Sequence, residues 1–166
     1  NSGTGVATLV YNVAVAPGNH VIRADFTSSS PNYLDSSGTN TLKVTREETT
    51  LAYGGPVVIA SGLAVTLSGT LLEDGVVPIS GRTVTFTLGS GGSAQSCNGT
   101  SDASGIASCA INPVNQPLGP GTVKADFAGD AFYLPSSASK SVIAFAFPTR
   151  GDFVLGNKTV EGSPAS

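Results

Sequence analysis

The chain contains no tryptophan, no methionine and a single histidine, and only 11% of its 166 residues are charged. Each shortage weighs against a class of function. Without Trp, a platform of exposed rings for carbohydrate would have to come from Tyr11, Tyr53, Phe132 and Phe145, because Phe86 and Phe127 fall on apolar strand faces. With His20 alone, a Ser-His-Asp triad or a multi-His metal site has one imidazole to build on. That residue follows Pro17-Gly18-Asn19, the setting of a solvent-facing turn residue. Eight basic residues are scattered among eleven acidic ones, the net charge is −3, and no Lys/Arg stripe interleaves with aromatics, so no nucleic-acid partner is expected. No apolar run approaches the roughly 18 residues of a membrane-spanning helix, and no signal peptide is recognisable. The chain opens on Asn1 rather than Met, which we read as a processed or excised segment whose targeting signals lie outside it.

What is abundant is turn and strand chemistry. Gly 21 and Pro 10 accompany many Ser, Thr and Val residues, a composition that favours strands over helices. Apolar and polar residues alternate with period two: Leu63, Val65 and Leu67; Val84, Phe86 and Leu88; Val123, Ala125 and Phe127. Glu73-Asp74-Gly75, Ser80-Gly81, Gly89-Ser90-Gly91-Gly92, Ser104-Gly105 and Gly119-Pro120-Gly121 punctuate these runs and read as turns.

The pattern also repeats. Gly5-Val6-Ala7, Ala24-Asp25-Phe26, Asn32-Tyr33-Leu34 with Ser36-Ser37, and Thr41-Leu42-Lys43-Val44 return as Gly105-Ile106-Ala107, Ala125-Asp126-Phe127, Phe132-Tyr133-Leu134 with Ser136-Ser137, and Ser141-Val142-Ile143. A period of about 100 residues is that of one small β-sandwich. In both copies a base stands two residues before the Asp, Arg23 and Lys124, placing opposite charges on one solvated strand face as ion pairs worth roughly 0 to 1 kcal/mol.

The second copy yields seven expected strands, near residues 50–53, 63–72, 82–88, 94–97, 106–111, 122–127 and 141–147. Seven short antiparallel strands point to an all-β fold, an immunoglobulin-like antiparallel β-sandwich in tandem repeat. The first copy supplies counterparts of the last three only, near 6–13, 20–26 and 41–45. The expected organisation is therefore the C-terminal half of one repeat over 1–48, a complete repeat over 49–147, and a linker or the start of a following module over 148–166. Half a sandwich exposes sheet edges and an apolar face, so either the missing strands belong to the same protein outside this segment or another polypeptide supplies them. The alternating run Asp152-Phe153-Val154-Leu155 could open the next module, or serve as a donor strand for a neighbouring half-domain by β-augmentation.

Cys97 and Cys109 flank a stretch dense in turn formers, so a hairpin would bring them face to face as a disulfide. Two buried free thiols are the alternative. The position of Cys109 in the first copy is Leu9, which fits an optional staple on a core position better than a metal or redox site, and implies an oxidising, extracellular location.

Several stretches carry a resemblance to a known family: Asp102-Ala103-Ser104-Gly105-Ile106-Ala107, Gly121-Thr122-Val123-Lys124-Ala125-Asp126-Phe127, and Ala128-Gly129-Asp130-Ala131-Phe132-Tyr133-Leu134-Pro135-Ser136-Ser137. They resemble the bacterial immunoglobulin-like repeats of the group-3 type, found in tandem in secreted and cell-surface proteins. Gly81-Arg82-Thr83-Val84-Thr85-Phe86-Thr87-Leu88-Gly89 is similar to the family's third strand. The likeness covers residues 49–147 and, in truncated form, 5–44. It implies a structural or adhesive module with no catalytic residue and no cofactor. The first copy departs from it, with Ser28-Ser29-Ser30-Pro31 where the second has its Gly-Asp pair. Gly129 and Asp130 accordingly read as a tight turn, the Gly at positive φ and the carboxylate capping backbone, with Tyr133 and Tyr33 interlocking at the sandwich corner through their hydroxyls.

Among the remaining acids, no Asp-x-Asp-x-Asp-Gly loop occurs, so an EF-hand is not expected. Glu47-Glu48, at the hand-over between copies, offers hard oxygen ligands of the kind calcium takes, or else forms a hydrated acidic linker. Lys43, Lys124, Lys140 and Lys158 leave room for a Lys–Asn isopeptide bond that sequence cannot place. Asn98-Gly99-Thr100 and Asn157-Lys158-Thr159 match the N-glycosylation pattern, which we read as accidental in a bacterial protein. The expected function is that of a stalk or spacer module whose partners are neighbouring immunoglobulin-like modules of the same or another chain, with surface glycans or proteins as further candidates. The alternatives are a self-assembling filament subunit using strand complementation and a ligand-binding module of a secreted enzyme.

Overall fold

A computed structural model of the chain describes residues 5–147 and, as backbone, the strands at 153–155 and 158–160. Every regular element among the described residues is a strand, apart from a single 3-10 turn at Gly91–Ser93. The chain divides into two compact units, one comprising Asn1–Glu47 with Gly129–Leu134, the other Glu48–Ala128 with Pro135–Ser166.

The first unit contains β1 (Gly18–Phe26) and β2 (Ser36–Val44), paired antiparallel from Gly18 opposite Val44 to Phe26 opposite Ser36. The strand expected near 6–13 does not form, and Leu9, Val10 and Tyr11 are exposed. Its counterpart in the second unit is held by a ladder to a preceding strand, and no described strand offers 6–13 such a ladder. Alternation alone does not make a strand, which needs a neighbouring segment to form its ladder.

The second unit begins with β3 (Thr49–Tyr53), β4 (Val58–Ala60), β5 (Val65–Glu73), β6 (Val77–Pro78) and β7 (Thr83–Leu88). It continues through β8 (Gln95–Thr100), β9 (Ile106–Ile111), β10 (Gly119–Phe127) and β11 (Ser136–Phe145). One sheet has the order β4-β11-β10-β7-β8; in the other, β3 lies along one edge of β5 while β6 and β9 take the opposite edge. Leu51, Leu67, Leu71 and Ala107 from the second sheet and Ile59, Val84, Phe86, Leu88, Val123, Ala125 and Phe127 from the first are all buried, giving a β-sandwich-like core. Apart from Leu63, which precedes β5 and is 51% exposed, the apolar members of the three alternating runs are buried, so the period-two pattern decides which side faces inward.

Three expectations need correction. The sheets are not wholly antiparallel, because β4 pairs parallel with β11, Ile143 opposite Val58. Neither β4 nor β6 was expected; each has only two or three residues, too few for alternation to register. Gly119-Pro120-Gly121, expected as a turn, lies within β10, where Pro120 sits opposite Ile143 near the start of the strand. Downstream, β12 (Phe153–Leu155) and β13 (Lys158–Val160) form an antiparallel hairpin. The reading of the rest of 148–166 as a linker or new module falls on residues outside those described.

Candidate functional site

The β1–β2 hairpin reproduces the β10–β11 hairpin pair for pair. Phe26 faces Ser36 as Phe127 faces Ser136, and Gly18 faces Val44 as Gly119 faces Ala144. The two hairpins differ by one residue in the connecting loop, which runs 27–35 in one and 128–135 in the other. The ion pairs also recur. Arg23 Nε donates to Asp25 at 2.8 Å and Lys124 Nζ meets Asp126 at 2.6 Å, both on the polar face of their strands.

The opposite faces differ in what covers them. In the second unit Val123, Ala125, Phe127, Val142 and Ala144 share one face and are buried. The matching positions of the first hairpin, Ile22, Ala24, Phe26, Leu42 and Val44, are also apolar and also share one face, because directly opposed residues of a ladder point the same way. Yet Phe26 is 52% exposed where Phe127 is 4%, and Ile22 is 51% exposed where Val123 is fully buried. This apolar face, with the open edge of β1 beside it, is the most unusual surface among the described residues.

The turn after β10 has its own chemistry. Gly129 adopts φ 77°, and Asp130 Oδ1 accepts from the amides of Phe132 at 2.8 Å and Tyr133 at 2.9 Å, while the Asp130 amide donates to the Tyr133 carbonyl at 3.0 Å. Glu47 pairs with Tyr133, its amide donating to the Phe132 carbonyl at 2.8 Å and its carbonyl accepting from Leu134 at 2.9 Å. Tyr133 is half-buried and Tyr33 exposed. In the first hairpin the loop is closed differently, with Asp35 Oδ1 accepting from the Ser28 amide at 2.8 Å.

A hydroxyl-to-backbone tyrosine contact occurs at a residue the sequence did not single out for that role. Tyr53 donates to the Pro56 carbonyl at 2.9 Å, where the chain leaves β3 in one sheet for β4 in the other. A Cβ on Gly55 would stand 2.5 Å from that hydroxyl, so glycine makes room for the ring. Burial raises the Tyr53 pKa above the ordinary 10.0. The signal was Gly54-Gly55-Pro56, a turn directly after an aromatic.

Cys97 and Cys109 are bonded, with Cα atoms 5.9 Å apart. They are not hairpin partners, as the spacing suggested: Cys97 faces Phe86 on β7 and Cys109 faces Leu67 on β5. The disulfide therefore ties edge strands of opposite sheets and closes one side of the sandwich.

At one end of that unit lies a cavity of about 250 Å³ lined by Ile59, Leu88, Ser93, Gln116 and Val142 among others. The buried Gln116 side chain donates to the Ser93 carbonyl at 2.7 Å and to Gln95 Oε1 at 3.1 Å, so its amide serves mainly to pin the loops. His20 Nε2 lies 2.8 Å from the Ala16 carbonyl, which spends the lone imidazole on its own loop. No protein-family model matches the chain, and no curated protein matches it.

Proposed function

We propose that this chain is a non-catalytic structural or adhesive segment, built from immunoglobulin-like repeats, that acts as stalk or spacer in an extracellular bacterial protein. The observation that carries the reading is the identity of register between the β1–β2 and β10–β11 hairpins, down to the ion pair on the outer face and five apolar positions on the inner one. A repeated hairpin of this kind is what a tandem array of sandwiches contributes at each period.

The disulfide supports an oxidising compartment, since such bonds persist outside the cytosol. The likeness of residues 102–107 and 128–137 to group-3 bacterial repeats supports the bacterial surface setting. Asp130 and Asp102 support a structural role for those motifs. The Asp102 carboxylate accepts from the amides of Ser104 and Ile106, as that of Asp130 does from Phe132 and Tyr133, so both acids are engaged with backbone.

A spacer transmits force between its ends, and single-molecule pulling tests that directly. Stretched from its termini, the second unit should rupture in one cooperative event, and reduction should lengthen the released chain by the span locked between Cys97 and Cys109. Gradual extension without a rupture event would sink the mechanical reading. Saturable binding of a glycan or matrix protein to the immobilised chain would replace it with ligand binding.

A further inference from the structure

The cavity at one end of the second unit owes its space to two small residues. Its floor is Ile59, Leu88, Val142 and Ala144, each at most 5% exposed. Gly121 stands opposite Val142 in the β10–β11 ladder as His20 stands opposite Leu42 in the first hairpin, and Ala144 takes the place that Val44 holds there. Opposed residues of a ladder point the same way, so a side chain at 121 would project beside Val142. Glycine leaves that room free, and a Cβ added there would meet Val142 Cγ2 at an ordinary 3.6 Å.

The polar side of the cavity is held by a chain of fixed amides. The Asn115 amide donates to Gln95 Oε1 at 2.7 Å, which settles that atom as an acceptor, and Gln95 Nε2 donates to the Pro113 carbonyl at 2.8 Å. Gln116 must then turn its nitrogen toward both Gln95 Oε1 and the Ser93 carbonyl. Its oxygen is left over. Gln116 is nine-tenths buried, yet its Oε1 accepts no hydrogen bond among the described residues and is not sealed from solvent. Gly89, at φ 80°, lies beside that oxygen, where any Cβ would run into it. An acceptor so placed costs free energy unless a donor reaches it.

We propose that this cavity binds a small neutral molecule made of an aliphatic body and a hydroxyl. The body rests on the apolar floor and the space over Gly121, and the hydroxyl donates to Gln116 Oε1. Among the described residues, none that lines the cavity is charged or aromatic. A charged ligand would therefore lose its hydration with nothing to replace it, and no flat ring surface is offered for stacking. A volume of about 250 Å³ falls below the roughly 300–1,000 Å³ of drug-sized sites, so the fit is to a single ring or a short branched chain. The exposed lining residues Ser90, Pro117 and Pro120 mark the mouth by which it enters. The site adds to the spacer reading rather than replacing it, since a module can carry load while holding a molecule at one end.

Cyclohexanol is the probe, titrated into the full chain while methyl and side-chain amide resonances are followed by NMR. Saturable shifts are expected at Ile59, Leu88, Val142 and the Gln116 amide. Cyclohexanone, with the same ring and no donor, should bind about fivefold more weakly or less, and cyclohexanecarboxylate should give no saturable shift at these residues. Gly121→Val should abolish the cyclohexanol shifts by filling the space beside Val142, while melting as the parent does. Should that variant fail to fold, Ala144→Val serves the same purpose, since the first hairpin carries Val44 at that place. Absence of saturable shifts with cyclohexanol, shifts that survive the substitution, or equal binding of the ketone or the carboxylate would overturn the proposal.

Discussion

Gly99 on β8 lies against the backbone of Ser108 on β9, so near that a Cβ at position 99 would stand 2.5 Å from the Ser108 carbonyl oxygen and 2.7 Å from its amide nitrogen. β8 belongs to one sheet and β9 to the other, and the disulfide joins the same two strands. Glycine therefore sets how closely the sandwich shuts on this side, because the obstructing atoms are main chain and cannot swing away. Gly99→Val should destabilise the second unit by about 1–3 kcal/mol through forced separation of the two edges. Denaturant melts of the variant would show a lower midpoint with an unchanged slope. A midpoint equal to that of the parent would mean the edges are not in contact at this point.

The disulfide should matter more than its half-buried position on two edge strands suggests. It closes a loop with a sequence separation of 12, and on the chain-entropy argument its reduction removes about 3 kcal/mol by freeing the unfolded chain. For a unit of this size that corresponds to a fall in melting temperature of about 10 °C or more. Calorimetry with and without reductant reads the shift directly. A melting temperature indifferent to reduction would show that sheet packing alone fixes the separation of β8 and β9.

How much of this was legible beforehand depended on whether a residue's neighbours in space were also its neighbours in pattern. The strand carrying Val84, Phe86 and Leu88 could be read because alternation is a property of the strand itself, and all three proved buried. The turn at Asp102 to Gly105 was legible for the same local reason, Gly105 taking φ 76° while Asp102 accepts from the amide two residues on. The pairing of the two cysteines could be foreseen, but not that β8 and β9 lie in different sheets, since ladder partners β7 and β5 are chosen by long-range register. The stretch 6–13 shows the limit most clearly. It carries the pattern of β9, but no strand among the described residues pairs with it, and a strand is a relation between two segments. The β4 parallel pairing was hidden for the opposite reason, since three residues held by β11 need no periodic signal of their own.

Tyr53 gives a test of the crossover between the sheets. Its hydroxyl donates to the Pro56 carbonyl and its ring lies over Gly55, so the bond fixes the turn that carries the chain from β3 to β4. Burial favours the neutral phenol, which raises the pKa above 10.0 in the folded state. Since the unfolded chain then loses this proton first, the contribution is fully present below about pH 10 and is lost as pH rises through the folded value. Titration followed by phenolate absorbance should therefore show a late phenol step, above the ordinary 10.0, and Tyr53→Phe should remove that late step while costing about 1 kcal/mol of stability at neutral pH for the lost hydrogen bond. If the late step persisted in the variant, the buried phenol would be another tyrosine, and the crossover would be held by Gly54-Gly55-Pro56 without help from the ring.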